Sequence, residues 1–121
     1  FQAEAEVIEH IADERSAVII GRCGSYILRD YPNNVKVFLH ADMESRSKRV
    51  QSLYQVSEES AEIMIEHNDK DRARYCRTVT AREWDWNDLR DYDLTFDTGK
   101  LGVDKCVDFI MDYLKLVGLI G

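Results

Sequence analysis

The spacing of apolar residues along the chain predicts alternating helices and short strands. Apolar positions between residues 3 and 13 fall on one face of a helix. Short apolar runs at residues 17–20, 35–39 and 92–96 predict three strands; the first is typical of a strand buried on both faces of a parallel sheet. An amphipathic stripe predicts a closing helix and consists of Val103, Val107, Ile110, Leu114 and Val117.

Capping residues predict further helices between the strands. Asp42 is suited to the N-cap of a helix over residues 43–54, and Ser57 is suited to the N-cap of the next one. Glu58 and Glu59 then stand where the helix dipole favours acidic side chains. This helix is expected to continue as a polar stretch through Arg82. A short helix over residues 24–30 is expected after the first strand.

The resulting order of elements predicts an α/β domain with a parallel sheet covered on both faces. Ligands of such open sheets bind beyond the carboxyl ends of the strands. Three segments follow the predicted strand ends and are therefore the candidate binding segments: residues 21–24, 40–42 and 97–102.

Composition narrows the function classes. The 121 residues are 45% hydrophobic and 32% charged, an ordinary balance for one soluble domain. A net charge of −7 argues against a general nucleic-acid or membrane-surface binder, so neither partner is expected. Three widely spaced cysteines form no zinc or disulfide pattern and favour reduced thiols in a cytoplasmic protein. No metal ligands are assigned. The first residues contain neither a Met nor a signal peptide, which predicts a chain that begins within a helix of a longer protein.

Basic residues at three places are candidates for binding a polyanion. Loop 21–24 puts Arg22 between two glycines, where backbone and guanidinium can approach a phosphate. Arg46 and Arg49 share a helix face near the expected ligand edge. The strongest signal is residues 70–82, where five cations and one acid give a local charge of +4. Phosphates are the commonest partner of such a cluster, although a solvated helix face remains an alternative.

Four segments in register resemble the cytidylate kinase family, and the likeness is greatest to its divergent cytidylate kinase-like group. The segments are V-I-I-G-R-C-G at 18–24, E-S-R-S-K-R at 44–49, D-K-D-R-A-R at 69–74, and Y-D-L at 92–94 with D-T-G-K-L-G at 97–102. The second is similar to the family's E-x-R-x-x-R helix, and the third to its D-x-D-R-x-R lid. The resemblance implies a three-layer P-loop kinase fold over residues 1–121, with a helical lid at about 55–83.

The same resemblance implies an enzyme that uses Mg²⁺ and transfers a phosphoryl group from ATP to a nucleoside monophosphate. CMP or dCMP is the expected acceptor. Arg72 and Arg74 would then close over the transferring phosphates, with Asp71 orienting one of them or touching the acceptor base. Arg22 would bind the phosphate of the acceptor. Cys23 would lie beside the acceptor base.

On the donor side, the resemblance implies ATP binding by two groups of residues. Arg46 and Arg49 would lie along the adenine or the donor phosphates. The backbone of Thr98, Gly99 and Lys100 would border the adenine ring.

The chain also departs from the family pattern. Cys23 stands where housekeeping cytidylate kinases have an Asp that helps to select cytidine nucleotides, so the acceptor is in doubt. His67 replaces an Arg and is expected at the lid surface; Trp84 and Trp86 are expected to pack locally. No G-x-x-x-x-G-K-[ST] loop occurs in the 121 residues, although such a loop cradles the donor phosphates.

The missing motif predicts an incomplete fold. The central strand, which carries that loop, would lie between the strands at 17–20 and 35–39 and would come from a preceding segment of the same protein or from another chain. The fragment alone would then be inactive. The alternatives are a P-loop kinase for another small acceptor, or a non-enzymatic module that binds phosphate or nucleic acid.

Overall fold

A computed structural model gives the structure of residues 2–21, 23–81 and 85–121. The described elements, in chain order, are α1 (Gln2–Glu14), α2 (Gly24–Ile27), β1 (Val37–His40), α3 (Met43–Tyr54), α4 (Glu58–Val79), a 3₁₀ turn (Leu89–Asp91), β2 (Leu94–Asp97), α5 (Thr98–Leu101) and α6 (Val103–Leu116). The predictions for Arg22, Arg82 and Trp84 lie outside the described residues. The fold is a mixed α/β arrangement, as the sequence predicted.

The sheet that the described residues form has two strands, β1 and β2, which run parallel. Val37 pairs with Leu94 and His40 pairs with Asp97, so both strands end at the same level. The Asp93 carboxylate reinforces the entry into the sheet because it accepts the Lys36 backbone N–H at 2.7 Å. The parallel pairing of these two predicted strands is confirmed.

The predicted strand at residues 17–20 is wrong for this structure. These residues have no regular secondary structure, and the side chains of Val18 and Ile20 are 91% and 89% exposed. A strand exists only through hydrogen bonds to a neighbouring strand, and within the described residues none pairs with this segment. The prediction that this segment and β1 lie in one parallel sheet is therefore wrong for the described residues.

The helices α3 and α4 pack against each other. Their predicted caps are present: Asp42 Oδ1 accepts the Ser45 N–H at 2.8 Å, and Ser57 Oγ accepts the Ser60 N–H at 3.1 Å. Ala61 of α4 is fully buried. Two predicted helices are shorter than expected, since α2 ends at Ile27 and α4 ends at Val79.

The closing helix α6 buries only part of the predicted stripe. The first two residues of the stripe are 50% exposed, whereas Ile110 and Leu114 are partly buried and the neighbouring Cys106 is buried. The Phe109 ring stacks on Phe96 of β2 with centroids 6.0 Å apart. None of the described helices combines the length and the apolarity that a membrane span requires.

Candidate functional site

The carboxyl ends of the two strands hold the start of α5 in place. Thr98 Oγ1 donates to the backbone carbonyl of His40 at 3.2 Å, which ties the segment after β2 to the end of β1. Asp97 Oδ1 accepts the backbone N–H groups of Gly99 at 3.0 Å and Lys100 at 3.2 Å. Two of the three predicted binding segments therefore meet at one edge of the sheet.

Helix α3 begins against the same edge. A Cβ atom placed on Gly99 would lie 2.6 Å from Ser45 Oγ and 2.9 Å from Ser45 Cβ, so only glycine permits this approach of α5 to α3. Hydrogen bonds from Ser45 lower the pKa of the Asp42 carboxyl, with smaller contributions from the charges of Lys100 and Lys48. The start of α3 and the start of α5 thus form one polar cluster beyond the strands.

The two arginines of α3 have different surroundings. Arg46 Nη2 donates to Asp69 Oδ1 at 2.6 Å, and both side chains are about one-third exposed, at 34% and 35%. This ion pair joins α3 to α4 and directs the Arg46 guanidinium toward the predicted lid. Arg49 is exposed, and no ion pair is seen for it in the described parts of the chain.

The acidic residue of the lid motif bridges two basic neighbours on α4. Asp71 Oδ2 lies 3.1 Å from His67 Nε2, and Asp71 Oδ1 lies 3.6 Å from Arg74 Nη1. The side chains of His67, Asp71 and Arg74 are 73%, 49% and 73% exposed. His67 is therefore a surface residue of this helix, as expected, and the Asp71 carboxylate lies beside the Arg74 guanidinium at the surface.

The other lid arginine contacts an aromatic cluster. The Arg72 guanidinium carbon lies 4.9 Å from the centroid of the Trp86 ring, within cation–π range. Trp86 packs on Phe38 of β1 with ring centroids 5.5 Å apart, and Phe38 packs on Tyr92 at 5.1 Å. The Tyr92 hydroxyl donates to the backbone carbonyl of Trp86. The Trp86 ring therefore packs on residues distant in the chain, Phe38 and Arg72, rather than locally as expected.

Helix α4 also touches loop 21–24. Cys23 is buried in the left-handed conformation at φ 58°, and its Sγ lies 3.4 Å from Sγ of buried Cys76. Cys76 follows Arg72 by four residues, so the two side chains share a face of α4. Cys23, which belongs to the loop predicted to hold the acceptor phosphate, therefore lies against the arginine-bearing face of the predicted lid. Arg22 itself lies outside the described residues.

Burial raises the pKa of the Tyr92 hydroxyl to about 12, with smaller contributions from Cys76, Asp91 and Cys23. A raised pKa means that folding favours the neutral phenol. The stabilisation is complete below the ordinary value of 10 and is lost as the pH rises through about 12.

We expect an alkaline titration followed by tyrosinate absorbance to show one component near pH 12 that Tyr92→Phe removes. The exposed Tyr54 provides the control, because Tyr54→Phe deletes one of six tyrosines and leaves that late component in place. Persistence of the component in Tyr92→Phe would contradict the environment described for this hydroxyl.

Sequence reasoning missed Asp69, Trp86 and Cys76 as functional neighbours. Asp69 stands within the lid motif, and its partner lies 23 positions away, so only tertiary packing reveals the pair. The signal for Cys76 was its i, i+4 spacing from Arg72. Trp86 carried no signal, because an aromatic residue after a helix is far more often a packing residue.

Magnesium was implied only by the resemblance. No group of three or more His, Cys, Asp or Glu side chains that could hold a metal ion is present within residues 2–21, 23–81 and 85–121. Kinases hold Mg²⁺ mainly through nucleotide phosphates and water, with one or two carboxylates. The protein's share of such a site is therefore not assigned to particular residues.

These features define a mixed α/β protein in which a small parallel sheet and an arginine-bearing helix are arranged consistently with a kinase-like fold. The sequence model of the cytidylate kinase-like family matches residues 1–100, so the chain belongs to that family.

Two curated relatives are named cytidylate kinases, and one solved structure has a similar fold. The chain is 27% identical over 117 residues to a cytidylate kinase of Pyrobaculum islandicum, and 31% identical over 115 residues to one of Pyrobaculum aerophilum. These alignments cover 93% and 88% of the chain but 61% and 58% of the relatives. The chain therefore spans about three-fifths of their length. A crystal structure of an uncharacterized protein from Eubacterium ventriosum matches with a TM-score of 0.83 and 33% identity, over 93% of this chain and 63% of that one.

Proposed function

We propose that the protein is a nucleoside-monophosphate kinase that transfers a phosphoryl group from ATP to CMP or dCMP. Membership of the cytidylate kinase-like family supports the reaction class. The observation that carries the proposal is the contact between Cys23 and Cys76, which sets loop 21–24 against the face of α4 that bears Arg72. We assign the acceptor phosphate to Arg22, which precedes Cys23 in the chain, on the basis of the family resemblance.

The proposed catalytic residues act through charge and position. Phosphoryl transfer spreads negative charge over the oxygens of the moving group, and the protein contributes mainly orientation and electrostatic stabilisation. Arg72 and Arg74 are two positions apart and point to different sides of α4. We therefore assign them to different oxygens, with Asp71 orienting Arg74 and the Trp86 ring supporting Arg72.

On the donor side, Asp69 orients Arg46 toward the phosphates, and α5 borders the adenine ring. The N–H groups of Gly99 and Lys100 are already bonded to Asp97. Adenine contacts from this segment would therefore use carbonyl groups and packing rather than these two donors. Arg49, exposed on α3, is assigned to the triphosphate.

We further propose that the donor-phosphate loop and a central strand lie outside these 121 residues. The exposed apolar side chains of residues 17–20 support this, because they offer a strand-like sequence with no described partner. The curated relatives are also longer than the part that this chain matches.

The 121-residue chain alone is therefore expected to transfer no phosphate from ATP. The test incubates the purified chain with ATP, Mg²⁺ and CMP and measures ADP and CDP. The matched control is the same protein with its upstream sequence included. Formation of CDP by the 121-residue chain would refute the proposed missing loop, whereas no ADP from the longer protein with any acceptor would refute the kinase function.

Recognition of the acceptor base is assigned to residues other than Cys23. The Cys23 thiol is buried against Cys76, and a thiol is a weak hydrogen-bond acceptor that cannot replace a carboxylate in binding a cytosine amino group. A panel of CMP, dCMP, UMP and AMP, assayed with the longer protein, ranks the acceptors by kcat/KM. Preference for CMP or dCMP would support the proposal, and preference for a non-cytidine acceptor would favour a related kinase of different specificity.

A further inference from the structure

Cys23 and Cys76 form a paired thiol site between two elements that are far apart in sequence. Their Sγ atoms lie 3.4 Å apart, and 53 positions separate the residues. Both are buried, at 6% and 5% exposure, and both are free thiols. The third cysteine, Cys106, is also buried, but it lies on α6 and is not paired with either.

We propose that Cys23 and Cys76 are a reversible redox-modification site, where a disulfide fastens α4 to loop 21–24. A disulfide requires an S–S distance of about 2.05 Å, so the two sulfurs must approach by about 1.4 Å. Rotation about the Cα–Cβ bonds moves a thiol sulfur by distances of this order. The backbone at Cys23 is in the left-handed region, with φ 58°, an uncommon conformation for a residue with a side chain.

The oxidant in the proposal is a low-molecular-weight disulfide of the glutathione type. The thiolate of one cysteine attacks a sulfur of the small disulfide, which breaks the small S–S bond and releases one thiolate. The thiolate of the other cysteine then attacks the mixed disulfide at the protein sulfur and expels the second small thiolate. Two electrons pass from the protein to the oxidant, and the two protons end on the released small thiols. One S–S bond forms as one breaks.

Burial controls when this reaction occurs. In the closed interface, burial and the neighbouring Cys76 thiol raise the pKa of Cys23 to about 12, which keeps it in the unreactive thiol form. The first step therefore needs α4 to move away from the loop, and the second needs it to return. The disulfide would then hold α4 in the closed position. The proposed lid must open to exchange nucleotides, so the disulfide would block that exchange.

In the test, the protein with its upstream sequence included is treated with oxidised glutathione, and its disulfides are located by peptide mapping. Trypsin cuts after Arg22 and Arg29 and after Arg74 and Arg77, so the predicted product is a cross-link between peptides 23–29 and 75–77 that dithiothreitol removes. Closing a loop of this length should also raise the melting temperature by about 5 °C or more. Cys106→Ser should retain both effects, and Cys76→Ser should lose both.

A cross-link involving Cys106, only mixed disulfides with glutathione, or no reaction after prolonged exposure would overturn the proposal. The consequence for turnover rests on the proposed kinase function, and we expect oxidation to lower the kcat of the active protein at least tenfold, reversibly. The peptide map does not depend on activity. An inactive protein that still forms the cross-link would therefore refute only the kinase hypothesis, and an active protein that forms no cross-link would refute only the redox hypothesis.

Discussion

Replacing Arg72 or Arg74 by Ala should lower the turnover of the active enzyme by about ten- to a hundredfold. Each guanidinium is proposed to make a charge-assisted hydrogen bond to the transferring phosphates, and such bonds contribute about 1.5–3 kcal/mol each. Steady-state kinetics with saturating ATP and acceptor measure the loss in kcat. The free energy of unfolding should change little, because both side chains are exposed and the Arg74 ion pair with Asp71 is solvent-screened.

Arg77→Ala is the matched control for both substitutions. Arg77 lies on the same helix, is exposed, carries the same charge and stands outside the D-x-D-R-x-R motif. If Arg77→Ala reduced kcat as much as the other two, the effect would come from the general positive charge of residues 70–82. If none of the three substitutions changed kcat, the basic cluster would be a solvated helix face. The assignment of Arg72 and Arg74 as catalytic residues would then be wrong.

Trp86→Ala should destabilise the protein by about 1–3 kcal/mol. The indole ring packs on Phe38 and supports the Arg72 guanidinium, so truncation removes an aromatic contact and leaves a gap beside β1. The ring is half-buried, which places the expected loss below that of a fully enclosed tryptophan. Urea unfolding followed by circular dichroism gives the free energy directly.

Two comparisons make the Trp86 result specific. Trp86→Phe keeps a ring against Phe38 and should restore most of the stability, whereas Leu89→Ala removes an exposed apolar side chain from the same segment and should cost less than about 0.5 kcal/mol. A change at Trp86 no larger than that at Leu89 would mean that the aromatic cluster contributes nothing measurable. In the active enzyme, Trp86→Ala should also reduce kcat, because Arg72 loses its support.

Local features of the chain predicted the helices well. The bounds of α3 are those expected from Asp42 as its N-cap, and the start of α4 follows from Ser57, because capping depends on residues within one turn. The end of α4 was predicted three residues too late. No strong stop signal follows Val79, so the polar pattern alone did not mark the boundary.

The strand predictions were right only where the predicted strand has a neighbouring strand to pair with. Residues 35–39 and 92–96 were expected as strands, and β1 and β2 lie within two positions of these ranges because each has the other to pair with. The same apolar pattern at residues 17–20 led to a wrong prediction. A strand is a property of a pair, and an apolar pattern cannot state whether its partner is present.

For the candidate site, the sequence by itself determined which residue types stand at the strand ends and on the polar helix, since motifs and helical spacing are local in the chain. It placed Thr98 and Gly99 at the sheet edge and Arg72 within a basic helical segment. Tertiary structure alone decided which of these groups touch. The contacts of Arg46 with Asp69 and Cys23 with Cys76 join residues 23 and 53 positions apart. Such contacts depend on how helices pack, and packing is set by the shapes of all the surfaces together rather than by any one segment.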